Sequence, residues 1–316
     1  MPEGPVSCWV AIRGHRRECD FLKSAVAGER LPHALLFCGP DGVGKRLVAV
    51  ALAAWLQCEA VGDDACGTCA ACRQVAAGTH PDVQLVALSS GKKEIGIDRM
   101  REIKKFMQLK PLRGKAKVAI VDSAHALTAA AQNAVLKTLE EPPDQSFLIL
   151  VANTPDALLA TVRSRCQRLQ FSPLAADVVA EILAVTHGVD PVLARELAAL
   201  AEGSPGRALA LRAGVGKLDG AGVWELLAGL RSARYVDMME LASRLAESDA
   251  ALGVNLEILL SQCRDAVTEA IDKEPEMVRS ALTRTEAVHS AHSALRRTNA
   301  NRQLLIEALL LQLTRT

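Results

Sequence analysis

A chain of 316 residues is long for one domain and sufficient for two or three. Half of it is hydrophobic and only 3% aromatic, which supplies a large core and favours helix-rich packing; a formal net charge of +1 argues against a free-standing, strongly basic DNA-binding protein while leaving room for a local basic face. The longest apolar run, Leu47 to Leu56, falls far short of the roughly 20 residues a membrane span needs, and Met1-Pro2-Glu3-Gly4-Pro5 lacks the regions of a signal peptide, so no membrane partner and a cytoplasmic location are expected.

Residues Trp9 to Arg30 read as helical, with Phe21, Leu22 and Val26 among charged positions. Leu31-Pro32-His33 turns the chain into a short apolar run, Ala34 to Cys38, readable as a buried strand. Next comes Gly39-Pro40-Asp41-Gly42-Val43-Gly44-Lys45-Arg46, with the G-x-x-x-x-G-K spacing of a phosphate-binding loop. In such a loop backbone N–H groups and a helix start cradle phosphate oxygens. The strand before it and the apolar helix Leu47–Leu56 after it are the context that turns a pattern into a site. The position after the lysine normally carries Ser or Thr to hold Mg²⁺; here it is Arg46.

That helix runs into a cysteine cluster. Four of the chain's nine cysteines are Cys58, Cys66, Cys69 and Cys72. Two consecutive C-x-x-C steps share Cys69, and four thiolates can close a tetrahedral Zn²⁺ shell with no open position, the mark of a structural site. Incidental burial of small apolar cysteines is the bland reading, and an iron–sulfur cluster the redox alternative. Gly78 to Asp82 then forms a loop into a strand, Val83 to Leu88, with His80 read as a turn or capping residue. Ile97, Met100, Ile103 and Met107 repeat at helical spacing. The other face of that helix, and the loop after it, carry Arg99, Arg101, Lys104, Lys105, Lys110, Arg113, Lys115 and Lys117. These residues read either as a solvated face or as contacts to a phosphate backbone.

Lys117 to Asp122 is a buried strand ending in a carboxylate, the shape of a Walker B element, with Asp122 placed to reach a Mg²⁺ shell. A glutamate normally follows as base; Ser123 stands there and cannot serve at neutral pH. Ala129 to Glu141 is a helix stopped by Pro142-Pro143. Phe147 to Ala152 is a strand, with Asn153-Thr154 at the C-terminal edge where ligand contacts gather in open α/β sheets. Thr161 to Cys166 reads as a turn or short helix, and Gln167 to Phe171 closes the sheet. From Pro173 onward the pattern is helical: segments at 178–183, 192–200 and 207–211, a Gly-rich linker from Gly214 to Gly222, and a last region from Trp224 to Leu313. Breaks in that region fall near Ser248-Asp249, Lys273-Glu274-Pro275 and Thr298-Asn299.

Together these residues resemble the clamp-loader subunits of bacterial DNA polymerase III, of the AAA+ class. The carriers are His33 to Phe37, Gly39 to Lys45, the cysteine quartet, His80-Pro81-Asp82, Asn133 to Pro143, and Arg163-Ser164-Arg165-Cys166. The resemblance is strong over residues 1 to about 172, and beyond that matches only in layout. It implies an α/β AAA+ (P-loop NTPase) domain over 1–172, with a parallel sheet and a zinc-binding insertion at 58–72. A small helical lid domain over 173–213 and an all-α collar for oligomerisation over 214–316 would follow. Such proteins load a ring-shaped sliding clamp onto primed DNA as a hetero-pentamer with gamma/tau and delta subunits, and an arginine of the Ser-Arg-Cys motif meets ATP on the neighbouring subunit. Arg165 would be that trans-acting arginine; Arg163 reads equally as a second functional cation or a local ion pair.

By the same resemblance Gly39, Gly42, Gly44, Lys45, Arg46 and Asp122 form the nucleotide site of this chain, but a degenerate one. Arg46 replaces the Mg²⁺-coordinating hydroxyl, Ser123 the catalytic glutamate, and Gly203-Ser204-Pro205-Gly206 lacks the sensing arginine of an active lid. These departures resemble the delta prime branch and imply a non-hydrolysing scaffold that could still hold ATP. An active gamma/tau-type ATPase is the alternative, and an unrelated zinc module binding nucleic acid a third. No polymerase or exonuclease carboxylate set is visible, so nucleotidyl transfer would belong to the holoenzyme.

Overall fold

Four short runs rich in branched and leucine side chains, with a polar edge strand of sequence Gln-Arg-Leu-Gln, become a fully parallel sheet, in spatial order β2-β3-β4-β1-β5. The computed structural model describes residue 9, residues 12–60, 62–88 and 92–215, selected positions between 239 and 271, and residues 275–297 and 301–315. In chain order the elements begin α1 (Arg16–Ala27), β1 (Ala34–Cys38), α2 (Lys45–Gln57), α3 (Ala70–Ala76), β2 (Val83–Val86) and α4 (Ile97–Met107). They continue β3 (Lys117–Val121), α5 (Ala129–Glu140), β4 (Ser146–Ala152), α6 (Ala160–Arg163), β5 (Gln167–Gln170), α7 (Ala176–His187), α8 (Pro191–Leu200) and α9 (Pro205–Val215). Two further helices follow, α10 (Pro275–Arg297) and α11 (Arg302–Arg315).

The central strands are buried on both faces, which is why they read as unbroken apolar runs rather than alternating ones. Leu35, Phe37, Ile120 and Ile149 face Leu22 of α1 and Val48 and Leu52 of α2. Leu36, Ala119, Val121, Leu148 and Leu150 face Met100, Ile103 and Met107 of α4 and Val135 and Leu139 of α5. The result is helix, sheet, helix. Since β1 lies between β4 and β5, with β3 beside β4, the loops after β1, β3 and β4 open at one edge of the sheet, the position where parallel sheets hold ligands.

Two expectations need correction. The first α-helix begins at Arg16, and Trp9 lies in a separate 3₁₀ turn, because Gly14 (φ +81°) and His15 (φ +52°) break the right-handed path before α1. Lys117 does not belong to the basic face. It is 4% exposed, pairs with the fully buried Asp82 at 2.8 Å, and lies over the Phe106 ring.

The chain divides into two compact units. The first comprises Met1–Pro191 with Glu202–Gly206, and the second Val192–Ala201 with Arg207–Thr316. The division thus falls inside the segment that the sequence assigns to a lid. In the second unit Leu252, Leu256, Leu259, Cys263, Val288, Ile306 and Leu309 share a core, a helix-on-helix packing. Most of the Gly214–Gly222 linker, the Ser248-Asp249 and Thr298-Asn299 breaks, and Lys273-Glu274 lie outside the described residues; Pro275 opens α10. Among the described residues no helix is long and apolar enough to cross a membrane.

Candidate nucleotide, metal and interface sites

The phosphate-type loop joins β1 to α2, and its helix begins at Lys45, directly after Gly44 in the left-handed region. Gly39 has to be glycine on steric grounds: a Cβ there would lie 2.1 Å from the Phe171 carbonyl oxygen. Lys45 is 4% exposed. Its Nζ donates to the carbonyls of Gly39 and Pro40 and, at 2.9 Å, to Oδ1 of Asn153 at the end of β4. Burial lowers the pKa of this ammonium, while the Asp41 and Asp122 carboxylates raise it. Asn153 is fixed in turn by its backbone N–H, which donates to His125 Nδ1 at 3.3 Å. Burial pushes the His125 pKa down, so the ring is neutral at pH 7 with its proton on Nε2. From behind, His15 Nε2 lies 2.8 Å from the Val43 carbonyl and packs edge-on to Phe171.

The arginine after the lysine has an observed partner. Arg46 Nη1 lies 3.5 Å from Asp122 Oδ2, so a guanidinium occupies the carboxylate that the sequence assigns to a metal shell. The other Asp122 oxygen accepts from the backbone N–H of Ser123 at 3.0 Å. The turn Gly203–Gly206 closes on the loop: Ser204 Oγ donates to the Asp41 carbonyl at 2.8 Å, and Gly206 N–H to the Gly42 carbonyl at 2.9 Å. At Gly206 a Cβ would lie 2.7 Å from Gly42 Cα, so this contact excludes every other residue type from that position without a shift.

The four cysteine sulfurs lie within 4.8 Å of one another, and the Cys66 and Cys72 sulfurs are 4.0 Å apart. A tetrahedral Zn²⁺ thiolate shell spaces its sulfurs about 3.8 Å apart, so the donor set fits such an ion. Backbone N–H groups already point at the sulfurs: Cys66 N–H at Cys58 Sγ, 3.4 Å; Cys69 N–H at Cys66 Sγ, 3.3 Å; Cys72 N–H at Cys69 Sγ, 3.4 Å. Hydrogen bonds from Thr68 and Cys69 pull the Cys66 thiol down to about 6; burial pushes Cys72 up. Cys58 and Cys72 pack into the same core as α2, which anchors the module to the sheet. The described cysteines are free thiols, as a metal-binding set requires.

At the far end of the sheet, the last residue of α6 and the turn after it present two arginines with different partners. Arg163 pairs with Asp156, the local ion pair among the two sequence readings. Arg165 pairs with Glu140 at 2.8 Å and donates to the Thr161 carbonyl at 3.0 Å. The basic face is partly self-neutralised: Arg99 pairs with Glu102 and Arg101 with Asp98. The sequence located the loop, the cysteines and the arginine pair. It did not signal His15 or His125, nor the role of Glu140, because each acts through a contact remote in sequence from its partner.

Residues 14–175 match the family profile described as DNA polymerase III, delta subunit. The chain is similar to DNA polymerase III subunit delta' of Escherichia coli (strain K12), at 39% identity over 199 residues, covering 62% of this chain and 59% of that protein. It is 34% identical over 309 residues to subunit delta' of Pseudomonas aeruginosa, covering 89% of this chain and 91% of that protein. Subunit tau of Bacillus subtilis (strain 168) is 35% identical over 169 residues, 53% of this chain and 30% of that protein. A solved gamma subunit-related protein of Thermotoga maritima aligns over 93% of this chain and 98% of its own at 19% identity and a TM-score of 0.48; the sequence relatives alone bear on the family.

Proposed function

From a chain that belongs to the family of the DNA polymerase III delta' subunit, we propose a clamp-loader subunit in DNA replication that does not hydrolyse ATP itself and supplies Arg165 to the ATP of a neighbouring subunit. Residues 1–172, 173–213 and 214–316 act in this reading as AAA+ domain, lid and collar, and the partners are gamma/tau and delta subunits in a hetero-pentamer. The assembled complex, in the cytoplasm, engages the sliding clamp and primed DNA. The cysteine quartet holds a structural Zn²⁺ that clips residues 58–72 to the end of α2 and takes no part in hydrolysis.

The observation that carries the non-hydrolysing reading is the Arg46–Asp122 pair at 3.5 Å. Divalent-metal catalysis of phosphoryl transfer needs a free carboxylate and a hydroxyl at these two positions. A guanidinium supplies neither, and its charge competes with a metal for the same oxygens. Ser123 adds no base. Gly39, Gly42, Gly44 and Lys45 keep the backbone of a phosphate cradle and could retain nucleotide. Arg165 suits the opposite role: half-exposed at the end of α6, it offers a planar cation that matches phosphate oxygens.

The test is ATP hydrolysis by the purified chain and by the reconstituted complex. The chain alone is expected to show none. Arg165→Ala is expected to leave the complex assembled and to slow its hydrolysis by about tenfold at least, the full effect of an arginine supplied in trans being on the order of 10³–10⁵. Turnover by the isolated chain that Lys45→Ala abolishes would establish the gamma/tau-type ATPase instead.

A further inference from the structure

Arg165 is held by acceptors from two different helices. Its Nη2 lies 2.8 Å from Oε1 of Glu140, the last residue of α5. Its Nη1 donates to the Thr161 carbonyl of α6 at 3.0 Å and reaches Ser164 Oγ at 3.5 Å. The two helices are tied together by a buried amide: Gln132 of α5 accepts from Leu159 N–H at 2.6 Å and donates to the carbonyls of Leu127 and Ala157. Val135 and Leu139 of α5 and Val162 of α6 share one core. Glu140 therefore projects from a fixed frame, while the guanidinium it holds is at the end of a long, rotamer-rich side chain. Arg163, two residues earlier, is turned to Asp156 instead, so the contact is selective for Arg165.

We propose that Glu140 is the positioning residue for Arg165, holding the guanidinium in the orientation from which it meets a phosphoryl group of the neighbouring subunit. The inference rests on the reading of Arg165 as a trans-acting arginine. The side chains of Arg165 and Glu140 are 37% and 50% exposed, and exposed ion pairs add little to stability, so the contact acts on geometry: with it the arginine is ordered before the partner arrives, and without it that ordering happens at the moment of reaction.

The experiment measures steady-state ATP hydrolysis by the reconstituted complex with variants of this chain. Glu140→Ala is expected to lower kcat about tenfold with KM for ATP unchanged, since small misplacements of a catalytic group cost up to about a hundredfold. Glu140→Gln keeps an acceptor oxygen at the same reach and is expected to stay within about threefold of the parent. In an Arg165→Ala background, Glu140→Ala is expected to change nothing further, because the two residues act as a unit. A Glu140→Ala complex running at the parent rate or faster overturns the proposal, the faster result making Glu140 a restraint. A further loss in the Arg165→Ala background overturns it too, by showing an effect that does not pass through the arginine. Parent-like hydrolysis by Arg165→Ala alone removes the arginine reading and this inference with it, whereas a slow Arg165→Ala complex with an unaffected Glu140→Ala removes only this inference.

Discussion

At the scale of single residues, Asp82 orders a loop that no motif marks. Its carboxylate is fully buried. It accepts the backbone N–H groups of Leu112 (2.7 Å), Arg113 (2.8 Å) and Gly114 (2.7 Å) and pairs with Lys117. Burial alone would raise its pKa; the Lys117 hydrogen bond and the three N–H groups win and hold it well below the usual carboxylate range. A depressed carboxylate contributes stability that is present above its unfolded pKa of about 3.9 and is lost as pH falls below that. Asp82→Asn leaves Lys117 charged and buried without its partner, a class of change that costs about 3–5 kcal/mol. Denaturant unfolding at pH 7 is expected to register that loss, and the gap between variant and parent to narrow as pH drops below 4. The sequence showed Asp82 only as the end of a loop into a strand and as part of the His80-Pro81-Asp82 run that carries the resemblance. Burial, which no local pattern encodes, decides its role and takes Lys117 out of the basic face. Arg46 and Ser123, by contrast, were legible because a motif specifies what should stand at their positions.

At the scale of elements, the cysteine segment joins two helices through its ligands. Cys58 caps the C-terminal end of α2 and Cys69 is the N-cap of α3, its sulfur accepting from Cys72 N–H. Once a metal is held, both helix ends are fixed by the same ion; without it, the four sulfurs within 4.8 Å of one another lose the ligand that joins them. Chelation is therefore expected to release one zinc per chain and to loosen residues 58–76, read as lost amide protection there. It should also change Trp55 emission, because the indole donates to the Gly62 carbonyl in this segment at 3.1 Å. Purification in reducing, chelator-free buffer without bound metal would count against the site. Elsewhere α5 depends on Thr128, whose side chain accepts from Ala131 N–H at 3.2 Å. Thr128→Ala is expected to cost about 1 kcal/mol in thermal or denaturant unfolding, the usual worth of an N-cap. Sequence periodicity located the strands and most helices of the sheet domain because each buries a whole face. It left α3 unassigned, since seven residues between metal ligands are too short to show a period.

At the scale of the whole molecule, the fold keeps the phosphate-loop architecture while its chemistry would act on another subunit. Three departures mark the retained site: Arg46 on Asp122, Ser123 for a base, and a turn, Ser204 to Gly206, that bonds to the loop backbone and brings no cation within its own residues. If the loop no longer turns over ATP, Lys45→Ala in the assembled complex should leave hydrolysis within about twofold of the parent, while Arg165→Ala slows it far more. Restoring single parts should also fail. Arg46→Thr together with Ser123→Glu returns a metal-ligating hydroxyl and a base, yet the isolated chain is expected to remain without measurable ATP hydrolysis. Gly206 cannot be exchanged for a sensing arginine without displacing Gly42, whose Cα lies 2.7 Å from where the new Cβ would stand. Such a chain would also still lack the arginine that a neighbour supplies. Appreciable turnover by the double variant alone would mean that Arg46 and Ser123 were the whole block, and that the turn packed on the loop is neutral to catalysis. The contact between Gly206 and Gly42 predicts the opposite, because it ties the loop backbone to a segment that has no room for a side chain at Gly206.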